Sequence, residues 1–420
     1  MQTITLETNE RYKHLEKEFI EKFGHATEYE NGGNCTIQFF SAPGRSEIIG
    51  NHTDHNGGRV IAAAIDMDTI AAVAPNETDI IRIYSEGHEY IEVDLKSIAD
   101  YVNNYNTDAK VCYLYDGSRS LVAGICTYIM KNGFDVGGFD AYVTTNVIRA
   151  AGVSSSASFE MLVCSIINYF FNDGAMTYIN YAKAGQYAEN VYWLKASGLM
   201  DQLACAVGGP ILLDFSDREN PKYEKVNFSF HDYDHHLVIV NTGKGHADLS
   251  EEYSEIPMEM KEAAKAAGAE LLCETTLEKV LANMDKIDND RAILRAIHFF
   301  KENERVERAA KAVEEKDGET VLKLLSESGK SSWELLQNCY PIKAYTEQKI
   351  SVALALTDLF LEKLGKGICR IHGGGFAGVI MCVVPEEETE NYVSYISEFA
   401  GKENVYPMNI RAVGAVHIEK

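Results

Sequence analysis

Residues Ala42 to Gly58 read APGRSEIIGNHTDHNGG and place one arginine, two histidines, one aspartate and four glycines within 17 positions. Beside them lies the apolar pair Ile48-Ile49. Two readings are open. A surface loop closing a hairpin accounts for the glycines and the polar side chains. A ring of hydrogen-bonding groups around a polar ligand accounts for the same residues. The rest of the chain has to choose.

Upstream, residues 9–23 pattern as an amphipathic helix, and CTIQFFSAPG as a strand running into a turn. Downstream, RVIAAAID is a second strand. DIIRIYSE and YIEVDL alternate as a hairpin would, and FDAYVTTNV is a further strand. An apolar helix follows the turn at Ala150 to Ser156. Residues 178–196 are helical, and a new helix starts near Met200. GPILLDFS and HLVIVNTG are strands, residues 257–363 are mostly helical, and GICRIHGGGFAGVIMCVVP reads strand, glycine turn, strand. Strands and helices in this irregular order predict an α+β fold. At 420 residues the chain exceeds one compact core. The polar, proline-bearing SDRENPKYEK suggests a boundary that divides it into 1–215 and 216–420.

The net charge of −24 argues against nonspecific binding to nucleic acid or an anionic membrane. A small anion in a local pocket remains compatible with it. The N-terminus lacks a signal-peptide pattern, and no apolar run reaches the roughly 18 residues of a membrane span. The nine cysteines are scattered without a CxxC pair, as reduced cytosolic thiols would be. A cytoplasmic protein without a zinc site is expected.

Three further stretches carry chemistry. In AAGVSSSASFE (Ala150–Glu160), Gly152 and three consecutive serines precede a strong helix. Helix N-terminal N–H groups hold phosphate, and hydroxyls add donors or a metal ligand. N-capping, the other reading, needs only one serine. In ASGLMDQLACAVGG (Ala196–Gly209), Asp201 falls in a first helical turn, where compensation of the helix dipole is the simpler account. Glu189, twelve residues earlier, equally suits a solvated helix face. In RIHGGGFAGVI (Arg370–Ile380), three glycines exceed what a hairpin needs and imply a close backbone approach.

In combination, APGRSEIIGNHTDHNGG, GVSSSASFE, GLMDQL and RIHGGGFAGV resemble, in order and spacing, the galactokinase branch of the GHMP kinases. LLSESGKSSWELLQNCYPI (324–342) resembles the helix between that family's second and third motifs, so the resemblance spans essentially the whole chain. It implies a two-domain α+β GHMP fold and an ATP-dependent sugar 1-kinase that uses ATP and Mg²⁺. It makes Arg45 and Asp201 the catalytic pair at the sugar C1 hydroxyl. Asn51, His52, Asp54, Gly198 and Tyr253 fall at sugar-binding positions. Gly152, Ser154 and Ser155 line the phosphate loop, and Ser156 and Glu189 ligate Mg²⁺, with Ser155 as the alternative ligand. The partners implied are a sugar and ATP, with no nucleic acid, membrane or obligate protein partner. The opening stretch then reads as a sugar cradle, with HNGG the turn behind it.

The chain also departs from the family. The family carries glutamate, facing the sugar 6-hydroxyl, where this chain has Asn51, and tyrosine where it has His55. Its phosphate loop runs P-x-G-G-G-L where this chain has Ile148-Arg149-Ala150-Ala151-Gly152-Val153, with Arg149 able to supply charge for two lost glycines. An asparagine and paired arginines are replaced by Ser254-Glu255-Ile256-Pro257, and a histidine by Gly329. Galactose is the expected sugar. A galactose altered at C6, such as galacturonate, is the alternative that Asn51 raises. A sugar sensor that binds without turnover is the alternative from another class.

Overall fold

The structure, a computed structural model, describes residues 10–24, 36–104, 112–148, 152–195, 197–243 and 249–419. The described residues form two sheets flanked by helices, the α+β arrangement expected. The larger sheet orders its strands Val416–Ile418, Gln38–Ile49, Arg59–Pro75, Phe139–Thr145, Ile80–Ser85 and Ile91–Asp94. All neighbours are antiparallel except Ile80–Ser85 with Phe139–Thr145. The start of Arg59–Pro75 also pairs with Pro210–Asp214, which pairs with Lys222–Lys225. The smaller sheet runs Val405–Met408, His235–Asn241, Val379–Pro385, Ile368–Ile371, all antiparallel.

Side-chain alternation along the long strands explains the layering. Phe40, Ala71 and Val73 face helices Gly117–Lys131 and Ser155–Phe171, whose Leu121, Val122, Met161 and Leu162 pack on them. Phe39, Ile70 and Ala72 face the opposite way, onto Tyr12, Leu15 and Phe19 of helix Glu10–Phe23. Further along, Ile48, Ile49, Ile61 and Ile65 meet Ile239, Val379 and Met381 of the smaller sheet, together with Val306 and Leu324. That shared core joins the two sheets.

Two expectations change here. The 42–58 stretch is no loop up to Ile49, because strand Gln38–Ile49 runs straight through Pro43, Gly44 and Arg45 and is buried along nearly its whole length. Its pairing with Arg59–Pro75 slips between Pro43 and Arg45 and again between Glu47 and Ile49. Such irregularities bend a strand and re-aim its side chains. Only residues 50–58 make the turn. The larger sheet also crosses the boundary expected near residue 215: Lys222–Lys225 extends it and Val416–Ile418 forms its edge.

Candidate functional site

Arg45 emerges between the two slips and meets Asp201 on the first turn of helix Met200–Val207. Arg45 Nε donates to Asp201 Oδ1 at 2.9 Å and Nη2 lies 2.8 Å from the same oxygen. Arg45 also donates through Nη1 to the carbonyl of Gly152, and its backbone N–H to that of Val153 at 3.1 Å. The approach is close enough to require Gly44, since a Cβ there would lie 2.6 Å from the Val153 oxygen. Burial pushes the Asp201 carboxyl up, but Arg45, Ser154 and Lys195 more than offset it, so the group sits below its ordinary value and is ionised at neutral pH.

The serine run serves more than a helix cap. Ser154 stands at the cap position in the left-handed region (φ 60°) without capping the helix. Its hydroxyl donates instead to Asp201 Oδ2 at 2.5 Å. Ser155 opens helix Ser155–Phe171. Ser156 Oγ donates to Glu189 Oε1 at 2.9 Å. Glu189 lies buried on a π-helical turn, Ala188–Tyr192, that ends the helix expected to reach residue 196. One-turn π segments are frequent at functional sites.

Lys195, which the sequence reading missed, places Nζ 2.8 Å from Glu189 Oε1. Glu160 was also missed. Burial, then the neighbouring Glu189 charge, push its carboxyl well up, and its Oε1 has no hydrogen-bond partner among the described residues. Ser156 and Glu189 together offer the oxygen donors a hard divalent cation prefers. Arg149 to Ala151 lie outside the described residues.

The back half of the stretch is built differently. Asn51 Nδ2 donates to the Gly373 carbonyl at 2.7 Å, His52 Nε2 to that of Gly374 at 2.9 Å, and Tyr253 Oη to that of Gly375 at 2.8 Å. The three glycine carbonyls are thus held one by one. Glycine is needed because a Cβ at Gly374 would lie 2.2 Å from the Tyr253 ring, and one at Gly375 2.4 Å from the Asn338 carbonyl. Burial lowers the His52 pKa to about 4, so the ring is neutral and its Nε2 proton points at the Gly374 carbonyl.

Asn51 is also wholly buried. Its amide nitrogen donates to Glu47 at 3.1 and 3.2 Å as well as to Gly373. Its amide oxygen accepts from Asn338 at 2.9 Å and Ser332 at 3.3 Å. The hydrogen-bonding capacity of Asn51, expected to face a sugar C6, is filled within the protein, which counts against that role. Glu47 in turn is paired to Arg370 at 2.8 Å, both fully enclosed, and burial pushes its carboxyl up against the pull of that arginine.

Asp54 and Gly198 come together, since a Cβ on Gly198 would lie 2.5 Å from Asp54 Oδ2. Asp54 therefore abuts bare backbone two residues before Met200, on the side leading to Asp201. Another cluster, His231, His236 and Glu386, is largely exposed. There His231 hydrogen-bonds Asn409 and lies 3.3 Å from Glu386, and these two contacts raise its pKa.

Comparison with known proteins gives the chain's relatives. Residues 17–75 match the family described as the galactokinase galactose-binding signature, and residues 120–209 match the GHMP kinases N terminal domain. A galactokinase of Limosilactobacillus reuteri is 31% identical over 84% of this chain and 87% of its own length. One of Clostridium tetani is 29% identical over 93% and 92%. Among solved structures, Lactococcus lactis galactokinase complexed with galactose superposes with a TM-score of 0.78 at 25% identity, covering 96% of this chain and 99% of that one. Methanococcus jannaschii mevalonate kinase shares the fold at a TM-score of 0.60 and 16% identity, covering 89% and 98%.

Proposed function

The chain belongs to the galactokinase family of GHMP kinases, and on that premise we propose that it transfers the terminal phosphoryl group of ATP to the C1 hydroxyl of galactose, with Arg45 and Asp201 at the point of transfer. The observation that carries the residue assignment is the Arg45–Asp201–Ser154 contact at the N-terminus of helix Ser155–Phe171. It puts an ionised carboxylate, a fixed guanidinium and a helix end in one place. Asp201, held low by Arg45 and Ser154, is a weak base at neutral pH. It accepts the sugar hydroxyl proton late, as bond formation to phosphorus acidifies that hydroxyl. Arg45 neutralises charge gathering on the transferring group, and the helix N-terminus with Ser154 and Ser155 orients the phosphates.

Ser156 and Glu189 are the residues that would hold Mg²⁺, which when bound to ATP neutralises phosphate charge. Lys195 pairs with the same carboxylate oxygen and must share it or swing aside. Asp54 and Gly198 remain the sugar-side candidates, with His52 and Tyr253 shaping the cradle through the glycine turn. Galacturonate was raised by an Asn51 facing C6, and that support falls away with Asn51 enclosed. The sensor reading gains no observation in its favour. No described helix is long and apolar enough to cross a membrane, and the cytoplasm, where ATP is held, is the compartment the reaction implies.

A coupled ADP-release assay with galactose, glucose and galacturonate, with and without Mg²⁺, tests the assignment. The expected result is Mg²⁺-dependent turnover with galactose and a C1 phosphate in the ³¹P spectrum of the product. Phosphate on another carbon, or turnover unaffected by removing divalent ions, overturns it. Glu189→Gln should raise the Mg²⁺ concentration needed for half-maximal rate, since an amide is a poorer ligand than a carboxylate.

A further inference from the structure

We propose that His372 is a further catalytic residue, whose Nδ1–H donates a hydrogen bond to the phosphoryl group being transferred. The inference rests on the kinase reading above and adds to it a donor from the opposite wall of the site.

The proton's position follows from the neighbours of the ring. His372 follows strand Ile368–Ile371 and is 1% exposed, with its backbone N–H paired to the Val379 carbonyl at 3.2 Å. The backbone N–H of Glu47 points at His372 Nε2 from 3.3 Å. A backbone amide can only donate, so Nε2 must accept. Ser46 Oγ, 2.9 Å from the same nitrogen, then donates to it as well. Desolvation, reinforced by the Arg45 and Arg370 charges, pushes the imidazole well below its ordinary pKa. A neutral ring that accepts at Nε2 carries its proton on Nδ1.

That Nδ1–H is buried and has no hydrogen-bond partner among the described residues. An unsatisfied buried donor is destabilising, so its retention calls for an explanation. It faces the phosphate loop: a Cβ built on Gly152 would sit 3.5 Å from Nδ1. The Gly152 carbonyl is the group to which Arg45 donates, and Arg45 grips Asp201. An acceptor entering beside Gly152 therefore meets the arginine from one side and the imidazole N–H from the other. The acceptor this pairing suits is an anionic oxygen. A neutral, fixed donor in a water-excluded site stabilises developing charge without reorganising.

Two substitutions separate this role from packing. His372→Asn keeps a donor near the Nδ1 position. His372→Gln keeps a polar group near Ser46 and Glu47 and removes the Nδ1 donor. With the full chain, His372→Gln should lower kcat by about 10- to 100-fold with the KM for sugar changed less than threefold, and His372→Asn should recover most of that loss. The Gln variant should also bind a non-hydrolysable ATP analogue more weakly while binding ADP as the wild type does. Equal kcat in the Gln variant and the wild type, or equal losses in both variants, overturns the proposal.

Should neither variant fold, ¹⁵N-histidine spectra of the wild type decide. A buried Nδ1 proton that shifts on adding the ATP analogue but not ADP supports it, and one that shifts with neither overturns it. Loss of turnover in Asp201→Asn alongside an unaffected His372→Gln would remove this inference and leave the kinase reading standing. A wild type that phosphorylates no sugar would remove both.

Discussion

The two halves of the 42–58 stretch place their arginine–carboxylate pairs in different settings. The front half carries Arg45 to Asp201, whose side chain is 32% exposed and accepts from Ser154. The back half is anchored by Arg370 and Glu47, 0% and 3% exposed. Around Asp201, burial pushes the carboxyl up but Arg45, Ser154 and Lys195 outweigh it and hold the group low. Around Glu47 the donors form a closed set in which Asn51, His52 and Tyr253 each grip one glycine carbonyl. Similar residue types pair at a site that stays open on one side, and in a wall where the side chains of Asn51, His52 and Tyr253 find their acceptors inside the protein. The wall fixes the glycine turn, the turn follows His372, and His372 faces Gly152.

The contrast is broken most forcefully at its open end. Asp201→Ala should lower kcat by about 10³-fold or more while the thermal midpoint moves little, because the side chain borders an open site. Near-normal turnover in a coupled assay would show that the two halves do not differ in this way. On the wall, Asn51→Glu places a second carboxylate against Glu47 without a free cation. It should destabilise the fold by about 3–5 kcal/mol in urea unfolding, the range for an uncompensated buried charge. A stable Asn51→Glu variant with an altered preference between galactose and galacturonate would mean that residue 51 faces the sugar after all.

Behind the wall, the Glu302 carboxylate accepts from the Gly50 N–H at 3.1 Å. Burial pushes Glu302 up, yet His298, Arg305, Arg370 and Ser328 bring it down from 4.5 to about 2. A lowered carboxyl contributes stability that is fully present above its unfolded pKa. That contribution, about 3 kcal/mol, is lost as pH falls from 4.5 toward 2. Glu302→Gln should flatten this acid limb of the stability profile, and an unchanged profile would deny Glu302 its anchoring role. The smallest effect sharpens the comparison: Tyr253→Phe removes one hydrogen bond to Gly375 and should cost about 1 kcal/mol. A rise in the KM for galactose with no loss of stability would instead move Tyr253 from the wall to the sugar.

The sequence alone determined what depends on local spacing and residue chemistry. Helix Ser155–Phe171 was legible from an apolar run behind three serines, and the antiparallel pair Ile80–Ser85 and Ile91–Asp94 from its alternation. The resemblance carried by the motifs paired Arg45 with Asp201 and Ser156 with Glu189, and in the fold each pair is in hydrogen-bond contact. Tertiary structure decided which partner each polar group meets. Asn51 and Gly373 lie 322 residues apart, and no pattern around Asn51 indicates that its amide is taken. Lys195 reaches Glu189 only because a π turn replaces the end of an α-helix. The His372 proton is fixed by Glu47 from 325 residues away. A side chain's identity states what it can donate or accept, while the packing of distant strands decides what is there to receive it.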